Sequence, residues 1–242
     1  MTKLMTHIVA GYPNMKKCKS VAKLMAESGV DFIEIQIPFS DPVADGPTIM
    51  GANQKALASG VKVKDCFQLM KELNSEIETP LLFMSYFNIL HSYGVDKFCK
   101  KAKACGCYGL IVPDIPLDEE EHEGYLEACK NHGLKAIQIV SPITSEARLK
   151  KIARVADGFV YCVSRFGTTG VKAKLNLQLE KYLKRVKKYI DLPLAVGFGI
   201  SNKKQVKMVG ENAEIAVIGS KIMNSMNDGG LKAVKKFLKS VL

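Results

Sequence analysis

DFIEIQIPFSDPVADGPTI, residues 31–49, opens with the alternation of a β-strand and carries two polar residues in its middle. Side chains alternate across a strand, so Ile33, Ile35 and Ile37 share one face, and Phe32, Glu34 and Gln36 share the other. A half-exposed antiparallel strand would explain this with a wet face. A parallel strand covered on both sides would instead bury a carboxylate. The rest of the chain decides between them.

Apolar strand-like runs recur at 6–11, 32–37, 80–84, 109–112, 135–140, 158–163, 193–197 and 214–218. Amphipathic stretches lie between them, at 15–28, 62–75, 95–105, 118–132, 145–155, 175–190 and 202–210, with a last one at 230–242. Strands alternating with helices predict parallel pairing through right-handed crossovers. Eight such units in 242 residues predict a closed (β/α)₈ TIM barrel, which typically takes about 250 residues, over an open doubly wound sheet. Residues 1–242 contain no low-complexity linker and read as one domain.

Composition narrows the function. Hydrophobic residues make up 47% and charged residues 24%, ordinary for a globular protein. No apolar run approaches the roughly 20 residues that span a bilayer. The N-terminal MTKLMTHIVAGYPN reads as a strand and its turn, not as an export signal, so a cytoplasmic protein is expected. The seven cysteines then read as reduced thiols, and Cys105 and Cys107 lack the second pair a zinc site needs. The net charge of +11 comes largely from lysines on presumed helix faces, such as Lys181, Lys184, Lys187 and Lys188. No nucleic-acid-binding signature accompanies them, and a solvated surface that attracts an anionic substrate is the better reading.

In a barrel, one face of every strand meets the helices and the other fills the lumen. The three isoleucines suit the outer layer, which leaves Glu34 and Gln36 pointing inward. An ionised carboxylate there is costly unless paired, and active sites of such barrels gather at the C-terminal strand ends. Glu34 is therefore a candidate general acid/base. The following loop, stiffened by Pro42 and Pro47, holds Asp45 over the mouth. An N-cap for the helix at 48–58 is an equally good reading of Asp45. Of the four histidines, only His7 is expected near the lumen.

SRFGTTGVKAK (164–174) follows strand 6 and reads as a lid with Gly167 and Gly170 as flexible points. GFGIS (197–201) follows strand 7, and IGSK (218–221) follows strand 8. Gly-rich turns entering helices expose N–H groups to anions, and these two loops are the recurrent phosphate site of such barrels. Tight βα turns alone would also account for the glycines.

Taken with IEIQIPFSDPVADGPTI (33–49), LIVPDIP (110–116), SRFGTTG (164–170), VGFGIS (196–201) and IGSK (218–221), the chain resembles the tryptophan synthase alpha subunit along nearly its whole length. The resemblance implies retro-aldol cleavage of indole-3-glycerol phosphate to indole and glyceraldehyde 3-phosphate. It implies Glu34 as general acid/base and Asp45 as the second catalytic carboxylate. Tyr86 and Tyr161 would border the substrate, and Thr169 would meet the loop aspartate on closure. Gly170, Gly199, Gly219 and Ser220 would hold the phosphate. No metal and no organic cofactor is implied for this subunit. The implied partner is a pyridoxal-phosphate-dependent beta subunit in an assembly of two alpha and two beta chains, with PFSDP (38–42) in the contact.

Two features depart from the family pattern. Gln36 stands where the family usually has Gly, and its amide is expected to donate a hydrogen bond to Glu34. The chain starts almost at strand 1, without the family's usual N-terminal helix, and His7 stands where the family often has an aromatic residue. An inactive subunit that only activates the beta partner is the alternative function, although pure scaffolding would not need Glu34, Asp45 and Thr169 together.

Overall fold

A computed structural model describes residues 2–163, 172–197 and 199–242. The strands are β1 (Lys3–Val9), β2 (Phe32–Gln36), β3 (Leu81–Met84), β4 (Gly109–Ile111), β5 (Lys135–Val140), β6 (Val160–Val163), β7 (Leu194–Gly197) and β8 (Ile215–Ile218). They pair in sequence order, and β8 pairs back onto β1 to close a barrel. All eight pairings are parallel. Around it run α1 (Met15–Glu27), α2 (Pro47–Ala58), α3 (Val63–Asn74), α4 (Phe87–Tyr93), α5 (Val95–Ala104), α6 (Glu120–Glu123), α7 (Tyr125–Asn131), α8 (Glu146–Val155), α9 (Lys172–Lys187), α10 (Lys203–Gly210) and α11 (Ser220–Val241).

The barrel settles the parity of β2. Ile33, Ile35 and Ile37 are fully buried in the layer between strands and helices. The lumen is a separate core of Met5, Leu82, Ile111, Ile137, Phe159 and their neighbours, with Phe32, Tyr108 and Tyr161 packed against it. Phe32 lies 5.9 Å from Tyr108 and 5.6 Å from Phe159 between ring centroids, plugging the lower end. Glu34 is therefore interior, with 3% of its surface exposed. The wet-faced antiparallel strand is ruled out.

Three helical details differ from the periodicity reading. The stretch read as one helix over 118–132 is a 3₁₀ turn, then α6 and α7, broken at Gly124, whose φ of 60° is left-handed. The Glu120 carboxylate accepts from the N–H groups of Leu126 and Glu127, satisfying the first turn of α7. Helix α4 was not expected. Its first N–H, on Phe87, donates to Asp114 at 2.8 Å, so its cap comes from the loop after β4 and has no local sequence signal. The last helix starts at Ser220, ten residues before the expected 230, and is interrupted at Gly229 and Gly230.

Gly109 marks a close approach of β4 to β5: a Cβ built there would stand 2.5 Å from the Lys135 carbonyl oxygen of β5. That oxygen belongs to the sheet and has little room to move. Gly109→Ala should cost about 1–3 kcal/mol, the usual range for overpacking. Urea unfolding would show it as a lower midpoint at unchanged slope. An unchanged midpoint would mean that β4 and β5 part freely here.

Candidate active site

Register brings the first pair together. In the β1–β2 ladder His7 stands directly opposite Glu34, and both side chains enter the lumen. The His7 Nδ1 lies 3.1 Å from Glu34 Oε1, with the residues 5% and 3% exposed. Burial alone would push the imidazole towards its neutral form. The charge and hydrogen bond of Glu34, helped by Asp45 and the Gln36 amide, outweigh it and raise the His7 pKa above its ordinary value. The other atoms of this group, His7 Nε2, Glu34 Oε2 and Gln36 Oε1, are buried without a partner among the described residues.

Asp45 is held by a second set of groups. Helix α2 begins at Pro47 with Gly46 as its N-cap, so the capping alternative for Asp45 falls away. Its carboxylate instead receives Gln36 Nε2 at 2.6 Å, the Tyr86 hydroxyl at 3.2 Å and Asn53 Nδ2 at 3.5 Å, all on Oδ2. Burial raises the Asp45 pKa. The Gln36 and Tyr86 hydrogen bonds and the His7 charge work against that, and the Glu34 charge adds to it. The expected bond from Gln36 to Glu34 is thus corrected: the amide serves Asp45, and Glu34 is served by His7.

Tyr86 is fully buried behind Asp45 and also accepts from the Ala44 N–H at 3.0 Å, so it fixes the loop from below. Phe39 stacks on its ring at 5.1 Å. Asn53 does the same work from α2, receiving the Phe39 N–H at 3.0 Å. Neither Asn53 nor Phe39 was singled out in the sequence. Asn53 lies beside Ala52 on the buried face of α2, and a polar residue on an otherwise apolar stripe is the one signal that would have found it.

His7, Glu34, Asp45, Tyr161, Gly199, Gly219 and Ser220 all line one cavity of about 390 Å³ at the C-terminal mouth. Its floor is apolar, with Met84, Ile111, Ile139 and Val217. Tyr161 reaches it from β6, its hydroxyl held protonated by burial and by the facing charges of Glu34 and Asp45. Gly199 has a φ of 80°, and Gly219 precedes the first turn of α11. The N–H groups of a helix's first turn have no intrahelical partner, which gives the cavity an anion-attracting wall at Gly219 and Ser220. Thr169 and Gly170 lie outside the described residues. A second cavity, about 380 Å³, sits between the ends of β4 and β5 and α8, near Asp114 and Arg148, apart from both carboxylates.

A family model described as tryptophan synthase alpha chain matches residues 1–241. The chain belongs to the tryptophan synthase alpha chain family. The alpha chain of Syntrophotalea carbinolica is 44% identical over 98% of this chain and 93% of its own length. That of Petrotoga mobilis is 41% identical over 98% and 94%. Among solved structures, the alpha subunit from Campylobacter jejuni superposes with a TM-score of 0.90 at 32% identity, covering 100% of this chain and 96% of that one. A chain of the tryptophan synthase complex from Pyrococcus furiosus superposes with a TM-score of 0.89 at 31% identity, covering 100% and 99%. The activity of the family is that of a lyase of tryptophan biosynthesis, cleaving indole-3-glycerol phosphate to indole and glyceraldehyde 3-phosphate. No helix among the described residues is long and apolar enough to cross a membrane.

The Gln36–Asp45 bond predicts a pH effect. Gln36 donates to the charged carboxylate, so removing the amide should raise the Asp45 pKa further. A step that needs charged Asp45 is lost as pH falls through that pKa, so the acid limb of the rate profile moves to higher pH. Gln36→Leu, which removes the donor and keeps the space filled, should show this shift in kcat/KM. An acid limb in its original place would show that Gln36 only packs.

Proposed function

We propose that residues 1–242 act as one barrel domain in the cytoplasm and perform this cleavage with Glu34 as general acid/base and Asp45 as the anchor of the indole ring. The single observation that carries the assignment is the shared cavity: two carboxylates, from β2 and the loop after it, line the same space of about 390 Å³ as the helix N-terminus that follows β8. A substrate with an indole at one end and a phosphate at the other fits that polarity.

The bond to be broken joins indole carbon 3 to the glycerol chain. Protonation of carbon 3 makes the ring an electron sink, and the bond electrons return to it as the bond breaks. Glu34 delivers that proton and then accepts one from the glycerol hydroxyl, which becomes the aldehyde. Asp45 accepts the ring N–H and stabilises the positive charge that develops there, and its three donors keep it aimed without reorganisation. Gly219 and Ser220 at the start of α11, with Gly199 from the loop after β7, bind the phosphate through backbone N–H groups. Tyr161 borders the ring from β6, and Tyr86 serves the substrate through Asp45. Thr169 and Gly170 keep the closing and phosphate roles that the resemblance gives them. Indole then passes to a beta subunit in an assembly of two alpha and two beta chains, with residues 38–42 at the contact.

Glu34→Gln keeps the shape of the side chain and removes the transferable proton. Cleavage should fall by about 10²–10⁴-fold, the usual contribution of general acid/base catalysis, with binding of a substrate analogue changed far less. Near-normal turnover would remove Glu34 from the mechanism.

The phosphate wall has its own test. A Cβ at Gly219 would meet no atom of the described residues closer than 3.4 Å, so Gly219→Ala is sterically mild. Gly219→Asp adds a negative charge at the proposed anion site and should raise KM well beyond the alanine variant, with the fold intact by circular dichroism. Equal KM values for the two variants would place the phosphate elsewhere.

A further inference from the structure

His7 is the member of this site that the roles above leave without a task. Four observations bear on it. It is the direct cross-strand neighbour of Glu34, and among the described residues its Nδ1 is the only partner of that carboxylate, 3.1 Å from Oε1. Glu34 Oε2 remains buried and unpartnered, as does His7 Nε2. The groups facing His7 are Glu34 and Gln36 from β2, Asp45 from the loop before α2, and Gly219 from the β8 side, and Tyr161 and Lys221 line the same cavity. His7 and Glu34 both line the cavity in which the chemistry is placed.

Proton accounting gives the pair its significance. Cleavage puts one proton on carbon 3 and takes one from the hydroxyl, so the reaction is neutral overall. The site must nevertheless hold one proton before the first step. A solitary carboxylate that has lost its proton must recover one from solvent before it can begin, whereas a carboxylate bonded to an imidazole has a second basic atom on which that proton can wait.

We propose that His7 is a positioning residue that fixes Glu34 through Oε1 and stores, on Nδ1, the proton that Glu34 delivers to the indole ring. This rests on Glu34 being the acid/base. The proton passes from Nδ1 to the carboxylate, leaving neutral imidazole. A turn of the carboxyl about its last bond, a soft torsion, presents it to the ring. Carbon 3 takes the proton, the carbon–carbon bond breaks with its electrons going to the ring, and Glu34 accepts the hydroxyl proton. Return of that proton to Nδ1 restores the starting pair. One proton circulates, and no other reactant is needed. Gln36 belongs to the same arrangement: its amide nitrogen holds Asp45 at 2.6 Å, and the amide also helps to raise the His7 pKa.

The test compares the whole chain with His7→Gln, which keeps a donor but cannot store a proton, and with His7→Phe, which keeps neither. Cleavage of indole-3-glycerol phosphate is followed from mildly acidic to alkaline pH. For His7→Gln we expect the alkaline limb of kcat to move down by about one pH unit or more, a tenfold loss at the pH of the limb, with KM nearly constant. His7→Phe should move the alkaline limb in the same direction while retaining turnover, since the family often has an aromatic residue at this position. An imidazole ¹⁵N titration of the unsubstituted chain gives a readout that does not depend on the variants folding. His7 should stay protonated above the ordinary histidine range near 6.5, and Glu34→Gln should return it to that range or below. A wild-type pH profile in His7→Gln, or a His7 that is neutral at pH 7 in the unsubstituted chain, would overturn the proposal. Either result combined with an inactive Glu34→Gln leaves the acid/base assignment standing and removes only His7. An active Glu34→Gln would remove both.

Discussion

A carboxylate inside a barrel must find a compensating partner or give up its charge, and Glu34 finds His7. Much of the site's organisation follows from that constraint. Strand parity sends Glu34 inward, closure of the barrel removes bulk water, and the β1–β2 register decides which side chain stands across from it. With Glu34 served from β1, the Gln36 amide is free to turn outward along β2 and take Asp45. The two carboxylates are thereby held by separate hydrogen-bond donors instead of sharing one, although the charges of Glu34 and His7 still act on Asp45.

The remainder of the mouth is arranged around that pair. The β1–β2 side and the α2 loop supply proton-handling groups, β3 to β5 supply an apolar floor, and the β8–α11 turn supplies N–H donors. At the opposite end, Phe32, Tyr108 and Phe159 pack together and carry no catalytic group. Stability and chemistry are divided between the two ends, as in other barrels of this type.

What the sequence made legible follows from the range of the forces involved. All eight strands were readable because a strand buried on both faces leaves a continuous apolar run. The direction of Glu34 was readable because alternation is a local rule. Its partner was not, since Gln36 is two residues along the same strand, roughly 6–7 Å away, whereas His7 is a cross-strand neighbour whose identity depends on register. Helix α4 escaped for the same reason, its cap being supplied by Asp114 from another loop. Asn53 and Phe39 matter only through contacts with the Asp45 loop, which no short-range pattern encodes. The glycine turns after β7 and β8 were found because both the conformation and the motif are local, although the helix that starts at Ser220 was read as beginning ten residues later.

The central claim is spatial: one cavity holds the reacting ring against Glu34 and Asp45 and the phosphate against the α11 turn. Uncleaved indole-3-glycerol phosphate soaked into crystals of the Glu34→Gln protein would test it most directly. The expected density places the ring N–H on Asp45, carbon 3 beside residue 34, and the phosphate at Gly199, Gly219 and Ser220. Substrate lodged instead in the second cavity, near Asp114 and Arg148, with the mouth of the lumen empty, would contradict the account.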